Sequence, residues 1–297
     1  MNGRRMIVGI IDGDGKLCKS QEYSEFHNRG KRNIEILNLY TGKKLFDILM
    51  DDLGKISYKD NKLTLSIIYS LNPHDTTMQL LGKIAEAVIV RRCEEDEELN
   101  REWLSLASRK KKIKRKIAEK FKAIGTGLER TKREWFRQYN FSDPQRDVIW
   151  VNRETEEIAN MKSGSVIASK HAGLQVKTSC DGKTYFLNDL WNYRYEVPVV
   201  YFDINNDFDK VAQELWIRKS VSSGYDFVIG EDFISARAVD YEGFDEVKFY
   251  FDLVLALVEN RLTLEDLLNE GERNKTLGNA VIATGLEAVG FDTEIIK

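Results

Sequence analysis

Apolar positions along the chain recur at two periods, and the switch between them divides the sequence. Residues 6–11 form a β-branched run that stops at Asp12-Gly13-Asp14-Gly15, and residues 34–40 and 63–69 read as further strands. Residues 1–77 are therefore expected to form a β-rich lobe. From Met78 the period lengthens. Leu80, Leu81, Ile84, Val88 and Val90 return at three- and four-residue steps behind Thr76 and Thr77, which predicts a helix carrying Glu86. Residues 146–152 then read as a short strand opening on Asp147. In residues 174–177 the alternation is strict, so Gln175 and Lys177 share one face and Leu174 and Val176 the other. That pattern alone reads as an edge or surface strand. Residues 197–203, with Pro198 at their start, are nearly all apolar, as expected of a strand buried on both faces. A helix is expected from near Asp207, with Val211 and Leu215 on its apolar side. Farther on, residues 227–229 and 236–239 read as strands and residues 244–258 and 262–268 as helices that break at Asn260 and Arg261. The stripe of Phe249, Leu253 and Leu257 is core in the simplest reading and a homodimer interface in the other.

Between Glu86 and Asp147 lies a charged block, residues 94–140. Its acidic head (Glu94, Glu95, Asp96, Glu97, Glu98) runs into a basic body with Lys110, Lys111, Lys112, Lys114, Arg115 and Lys116. Negative charge early and positive charge late suit a helix dipole. Trp103, Leu104, Leu106, Ile113, Ile117 and Phe121 supply a partial stripe, and Gly125-Thr126-Gly127 breaks the segment. A helical hairpin inserted into the core is expected. The division that follows is a lobe at 1–77, a core at 78–220 containing the insertion, and a C-terminal α/β extension at 221–297. The fold class is α/β (α+β), with a central mixed sheet flanked by helices.

Composition narrows the function. The chain has 297 residues, 42% hydrophobic and 31% charged, with a net charge of −3. No apolar run approaches the ~20 residues needed to cross a bilayer, so a cytoplasmic protein without a membrane partner is expected. Cys18, Cys93 and Cys180 are odd in number and far apart, which fits a reducing compartment and no disulfide framework. His27, His74 and His171 show no zinc-ligand spacing with them, so any metal is expected on oxygen ligands. One such loop, residues 203–209, matches calcium-loop spacing but has Phe208 where the sharp turn needs glycine, and capping of the next helix is the better reading. With so little net charge, a nucleic-acid surface has to be local, and Lys110 to Lys116 are the place for it. The alternative for that run is a solvated, salt-bridged arm.

A helix with Glu86, a strand with Asp147, and a strand with Gln175-Val176-Lys177 follow in order. This arrangement resembles the PD-(D/E)xK, or restriction-endonuclease-like, nuclease superfamily, and most closely its Mrr-like members, where glutamine replaces the last acidic residue. The likeness spans about residues 78–215. It departs from the usual pattern in the long charged insertion and in the absence of a proline before the aspartate, which leaves Asp143, beside Pro144, as a rival to Asp147. The resemblance implies a restriction-endonuclease-like core and Mg²⁺- or Mn²⁺-dependent hydrolysis of phosphodiesters in restriction or anti-phage defence, on DNA rather than RNA. Asp147, Gln175 and the Val176 carbonyl would hold the cation, Glu86 would orient a water or second ion, and Lys177 would act on the phosphate. The alternative is a non-catalytic nucleic-acid-binding or assembly subunit of a defence complex.

Overall fold

The computed structural model describes residues 7–11, 17–22, 42–59, 62–67, 70–162, 170–222, 226–268 and 287–288. In chain order the strands are β1 (Ile7–Ile11), β2 (Leu17–Glu22), β3 (Ile56–Lys59), β4 (Lys62–Leu65), β5 (Phe121–Gly125), β6 (Val148–Asn152), β7 (Gly173–Ser179), β8 (Val199–Asp203), β9 (Phe233–Ser235) and β10 (Glu287–Ala288). The helices are α1 (Pro73–Glu95), α2 (Glu97–Ala107), α3 (Arg115–Ala118), α4 (Glu129–Glu134), α5 (Gly182–Tyr185), α6 (Leu187–Trp191), α7 (Phe208–Val221), α8 (Ala236–Val239), α9 (Tyr241–Val258) and α10 (Leu264–Leu268). The fold is α/β: a five-stranded mixed sheet, β5-β6-β7-β8-β9, packed against helices, with β3 and β4 as a small two-stranded sheet.

The chain divides into two compact units. One comprises residues 1–47, 58–65 and 252–297, and the other residues 48–57 and 66–251. In the first, β1 pairs antiparallel with both β2 and β10, with Ile10 opposite Ala288. Residues 252–297 belong to the same unit as the N-terminal strands, and residues 221–251 to the other. The expected strand at 34–40 and the turn at 12–15 lie outside the described residues.

The second unit holds the core sheet. β5, β6 and β7 run antiparallel, and β7, β8 and β9 run parallel. β8 is buried along its whole length, as its unbroken apolar run requires. β7 is an interior strand with neighbours on both sides, which corrects the edge-strand reading of its alternation. Gln175 and Lys177 pair with Val199 and Tyr201, and those two belong to the cluster with Phe186, Leu190 and Leu215. The polar face of β7 is therefore directed toward α5–α7, with Gln175 buried and Lys177 partly exposed. Gly173 permits the close approach of β6: a Cβ there would stand 2.8 Å from Arg146 Cγ and 3.1 Å from the Val148 carbonyl.

Helix α1 starts five residues earlier than its apolar period suggested. Pro73 occupies the first turn and Asn72 accepts the His74 N–H at 3.0 Å, while Thr76 and Thr77 lie buried inside the turn. The charged block departs most from expectation. There is no inserted helical hairpin: α2 ends at Ala107, and Phe121–Gly125 is an edge strand whose Ala123 faces Trp150 across the ladder. Ile113, Ile117 and Phe121 have helical spacing, but pairing with β6 overrides it. The acidic head is paired, Glu94 with Lys122 (2.9 Å) and Arg130 (2.8 Å) and Glu97 with Arg115 (2.5 Å), and of these partners only Arg115 belongs to the basic run. In the C-terminal third the strand is Phe233–Ser235, and residues 236–239 form a helical turn where a strand was expected. Residues 227–229 contribute only the isolated Ile229 bridge to Phe233. In α9, Leu253, Val254 and Leu257 are buried and Phe249 is partly buried.

Candidate functional site

Asp147 stands at the point where β6 leaves the ladder. Its backbone N–H donates to the Leu174 carbonyl at 2.8 Å, and its side chain then reaches across to β7. Asp147 Oδ2 accepts the Val176 N–H at 2.8 Å and a second hydrogen bond from the Gln175 amide. From the other side α1 delivers Glu86 and Lys83. The Lys83 ammonium lies 2.7 Å from Glu86 Oε1 and 3.9 Å from Asp147 Oδ1. Glu86, Asp147 and Gln175 are 3%, 9% and 6% exposed, so these charges and dipoles act where water screens them little.

Burial dominates the electrostatics. It pushes the Glu86 carboxyl well above its ordinary range, and the nearby Asp147 charge pushes it further. Asp147 is raised by burial as well, against the pull of Lys83, the Val176 N–H and Lys177. Burial would lower Lys83, but Glu86 and Asp147 together outweigh it and raise its pKa. Lys177 is lowered by burial, although Asp147 and Asp189 favour its charge. Its ammonium rests 4.9 Å from the Tyr195 ring centroid, and the Tyr195 hydroxyl donates to Asp189 at 3.1 Å.

Glu86, Asp147 and Gln175 thus meet at one place, and Lys177 lies on the Gln175 face of β7 with its ammonium over the Tyr195 ring. Lys83 belongs to the same centre although the motif does not include it, and Tyr195 packs on Lys177. The signal for Lys83 was its position three residues before Glu86 on one helix face. Asp143 is not part of the centre: Oδ1 accepts the Gln145 and Arg146 N–H groups and Oδ2 the Arg146 guanidinium, at 2.9–3.1 Å.

Two acceptor atoms here are buried without a donor, Glu86 Oε2 and Gln175 Oε1. A buried oxygen of this kind costs free energy unless something positive meets it. A half-turn of the Gln175 amide would bring its oxygen beside Asp147, since amide oxygen and nitrogen occupy equivalent positions. Val176 directs its carbonyl to the same side as its N–H, as any strand residue does. Two carboxylates, an amide oxygen and a backbone carbonyl suit a hard cation such as Mg²⁺ or Mn²⁺. Among the described residues no three of His, Cys, Asp and Glu come together, so glutamine is needed to complete this donor set.

The calcium-loop residues have structural partners. Asp203 accepts the Phe208 N–H at 3.1 Å, and Asp207 accepts the Gly182 N–H at 2.7 Å and the Tyr201 hydroxyl at 2.5 Å.

The basic run is not on one helix. Lys110, Lys111, Lys112 and Lys114 occupy an exposed loop anchored by buried Ile113, and only Arg115 and Lys116 are helical. Arg115 is paired with Glu97 and Glu119. The run leads into Phe121 opposite Asn152, and Arg153 donates to the Lys120 carbonyl at 2.8 Å. Lys120 therefore lies at the end of β6 away from Asp147, about 20 Å along the strand. Nearer the centre is a groove of about 530 Å³ whose lining includes Ile149, Ile158, Tyr139, Asn160, Arg146 and Lys170. Ile149 is two residues from Asp147, on the same face of β6 and about 7 Å away.

No protein-family model, curated protein or solved structure matches this chain. Among the described residues no helix is long and apolar enough to cross a membrane.

Proposed function

We propose that this chain is a Mg²⁺- or Mn²⁺-dependent nuclease of the PD-(D/E)xK kind, in the Mrr-like form with Gln-x-Lys, acting on DNA in restriction or anti-phage defence. The observation that carries the reading is the buried cluster of Glu86, Asp147 and Gln175 with two oxygens that lack donors, and Lys177 on the same strand face as Gln175. Asp147, Gln175 and the Val176 carbonyl would hold the cation and Glu86 would orient water beside it. A bound divalent ion supplies charge neutralisation and hydroxide near neutral pH. Lys177, its ammonium over the Tyr195 ring, would stabilise the charge that builds on the phosphate in the transition state. The adjoining groove, lined by Ile149 and Ile158 among polar and charged side chains, would take a nucleotide beside the scissile bond.

The assignment of ligands is tested by titrating Mn²⁺ into wild type, Asp147→Asn and Glu86→Gln with nucleic acid present. Asp147→Asn is expected to lose binding more than Glu86→Gln. Undiminished binding in both would remove these carboxylates from the proposal.

A second reading, a non-catalytic binding or assembly subunit, draws on one observation. Lys83 already pairs with Glu86 and Asp147, as it would in a structural ion cluster. Its mark would be nucleic-acid binding that is indifferent to divalent ions.

A further inference from the structure

Lys83 stands where a divalent cation would compete. Its ammonium is 2.7 Å from Glu86 Oε1 and 3.9 Å from Asp147 Oδ1, and it sits on the two carboxylates that the nuclease reading gives to metal. It is not locked there. Its side chain is 34% exposed, whereas that of Glu86 is 5% exposed. The turn above it carries Gly127, where an added Cβ would come within 3.5 Å of the ammonium. A lysine is a point charge on a flexible four-carbon stem, able to move several ångströms without moving its helix.

We propose that Lys83 is a built-in counter-cation that holds the Glu86–Asp147 pair closed, and that a substrate phosphate opens the pair by drawing Lys83 away. The inference rests on the nuclease reading and adds an order of events to it. Without nucleic acid, Lys83 opposes a second cation at the carboxylates. With nucleic acid present, the ammonium has a phosphate to pair with, and the carboxylates are left to the divalent ion. Metal and nucleic acid then bind cooperatively, each tightening the other by the same factor. Lys83 acts as a positioning residue, with no part in bond making.

The test is Mn²⁺ affinity, read by calorimetry on full-length wild type, Lys83→Met, Lys83→Ala and Lys83→Arg, with and without a cleavage-resistant phosphorothioate oligonucleotide. Lys83→Met keeps the apolar stem and Lys83→Ala serves if Met packs badly. Both are expected to bind Mn²⁺ about tenfold tighter than wild type when nucleic acid is absent. The oligonucleotide should tighten Mn²⁺ binding to wild type and to Lys83→Arg but not to the two neutral variants. A merely structural lysine would give the opposite sign, with weaker metal binding on removal. Neutral variants that bind Mn²⁺ no tighter than wild type, or that keep the oligonucleotide's effect, overturn the proposal while leaving the nuclease reading intact. Absence of Mn²⁺ binding in every protein, with and without nucleic acid, overturns both.

Discussion

Gln175 donates its side-chain amide to Asp147 Oδ2, joining two residues 28 positions apart, and Val176 adds its N–H to the same oxygen. One strand thus grips the aspartate at consecutive residues, so the side chain at 175 sets both the geometry and the charge of the centre. Glutamine lets it close without a third buried negative charge.

Gln175→Glu should accordingly bind Mn²⁺ about tenfold more tightly in the absence of nucleic acid, because a third carboxylate joins the donor set. The same change should lower stability without metal by about 1–3 kcal/mol, since it replaces a donor to Asp147 by a like charge. Calorimetric titration and chemical denaturation in EDTA check the two halves separately.

Stability should depend on pH through Glu86. Its folded-state pKa lies well above the ordinary carboxyl value of 4.5. The proton is therefore retained in the folded state after the unfolded state has lost it. The stability contribution is full below pH 4.5 and is lost as pH rises through the folded pKa. Glu86→Gln mimics the protonated carboxyl. In EDTA its denaturation midpoint should match wild type at pH 4 and exceed it increasingly toward pH 8, by a margin on the order of 1 kcal/mol. Parallel profiles for the two proteins would remove the buried-proton account.

The exposed lysines predict a salt effect. Arg115 is already paired with Glu97 and Glu119, so Lys111 and Lys112 are the better probes. Each phosphate contact adds about 0.9 to the slope of log affinity against log salt on duplex DNA. Lys111→Gln with Lys112→Gln should flatten that slope by up to about two and weaken unrelated sequences alike. Cleavage at saturating substrate should stay near normal, because the loop leads into the end of β6 away from Asp147. An unchanged slope would make the loop a solvated arm.

Legibility from sequence followed how local the cause of each feature is. β8 and α1 could be read because continuous burial and a helical apolar period are written in neighbouring residues. The order of Glu86, Asp147 and Gln175-Val176-Lys177 could be read as well, since strand alternation alone places Gln175 and Lys177 together. β5 could not. Its five residues sit in a charged block where Ile113, Ile117 and Phe121 imitate a helix, and only its partner Trp150, far along the chain, makes it a strand. The interior position of β7 was hidden for the same reason: alternation marks a polar face, but it does not say that α5–α7 lie beyond it. Lys83 was in plain view one turn before Glu86. A lysine on a helix surface is ordinarily solvated, and only the depth of Glu86 and the reach to Asp147 give it meaning.

The most direct test of the nuclease reading is cleavage of single- and double-stranded oligonucleotides by wild type and Lys177→Met, in Mg²⁺, in Mn²⁺ and in EDTA. The account predicts cleavage by wild type only with a divalent ion. It predicts a loss of about 10²–10³ in rate for Lys177→Met, with unchanged circular dichroism. Divalent-dependent cleavage at the wild-type rate by Lys177→Met, or none by wild type on any substrate, would contradict it.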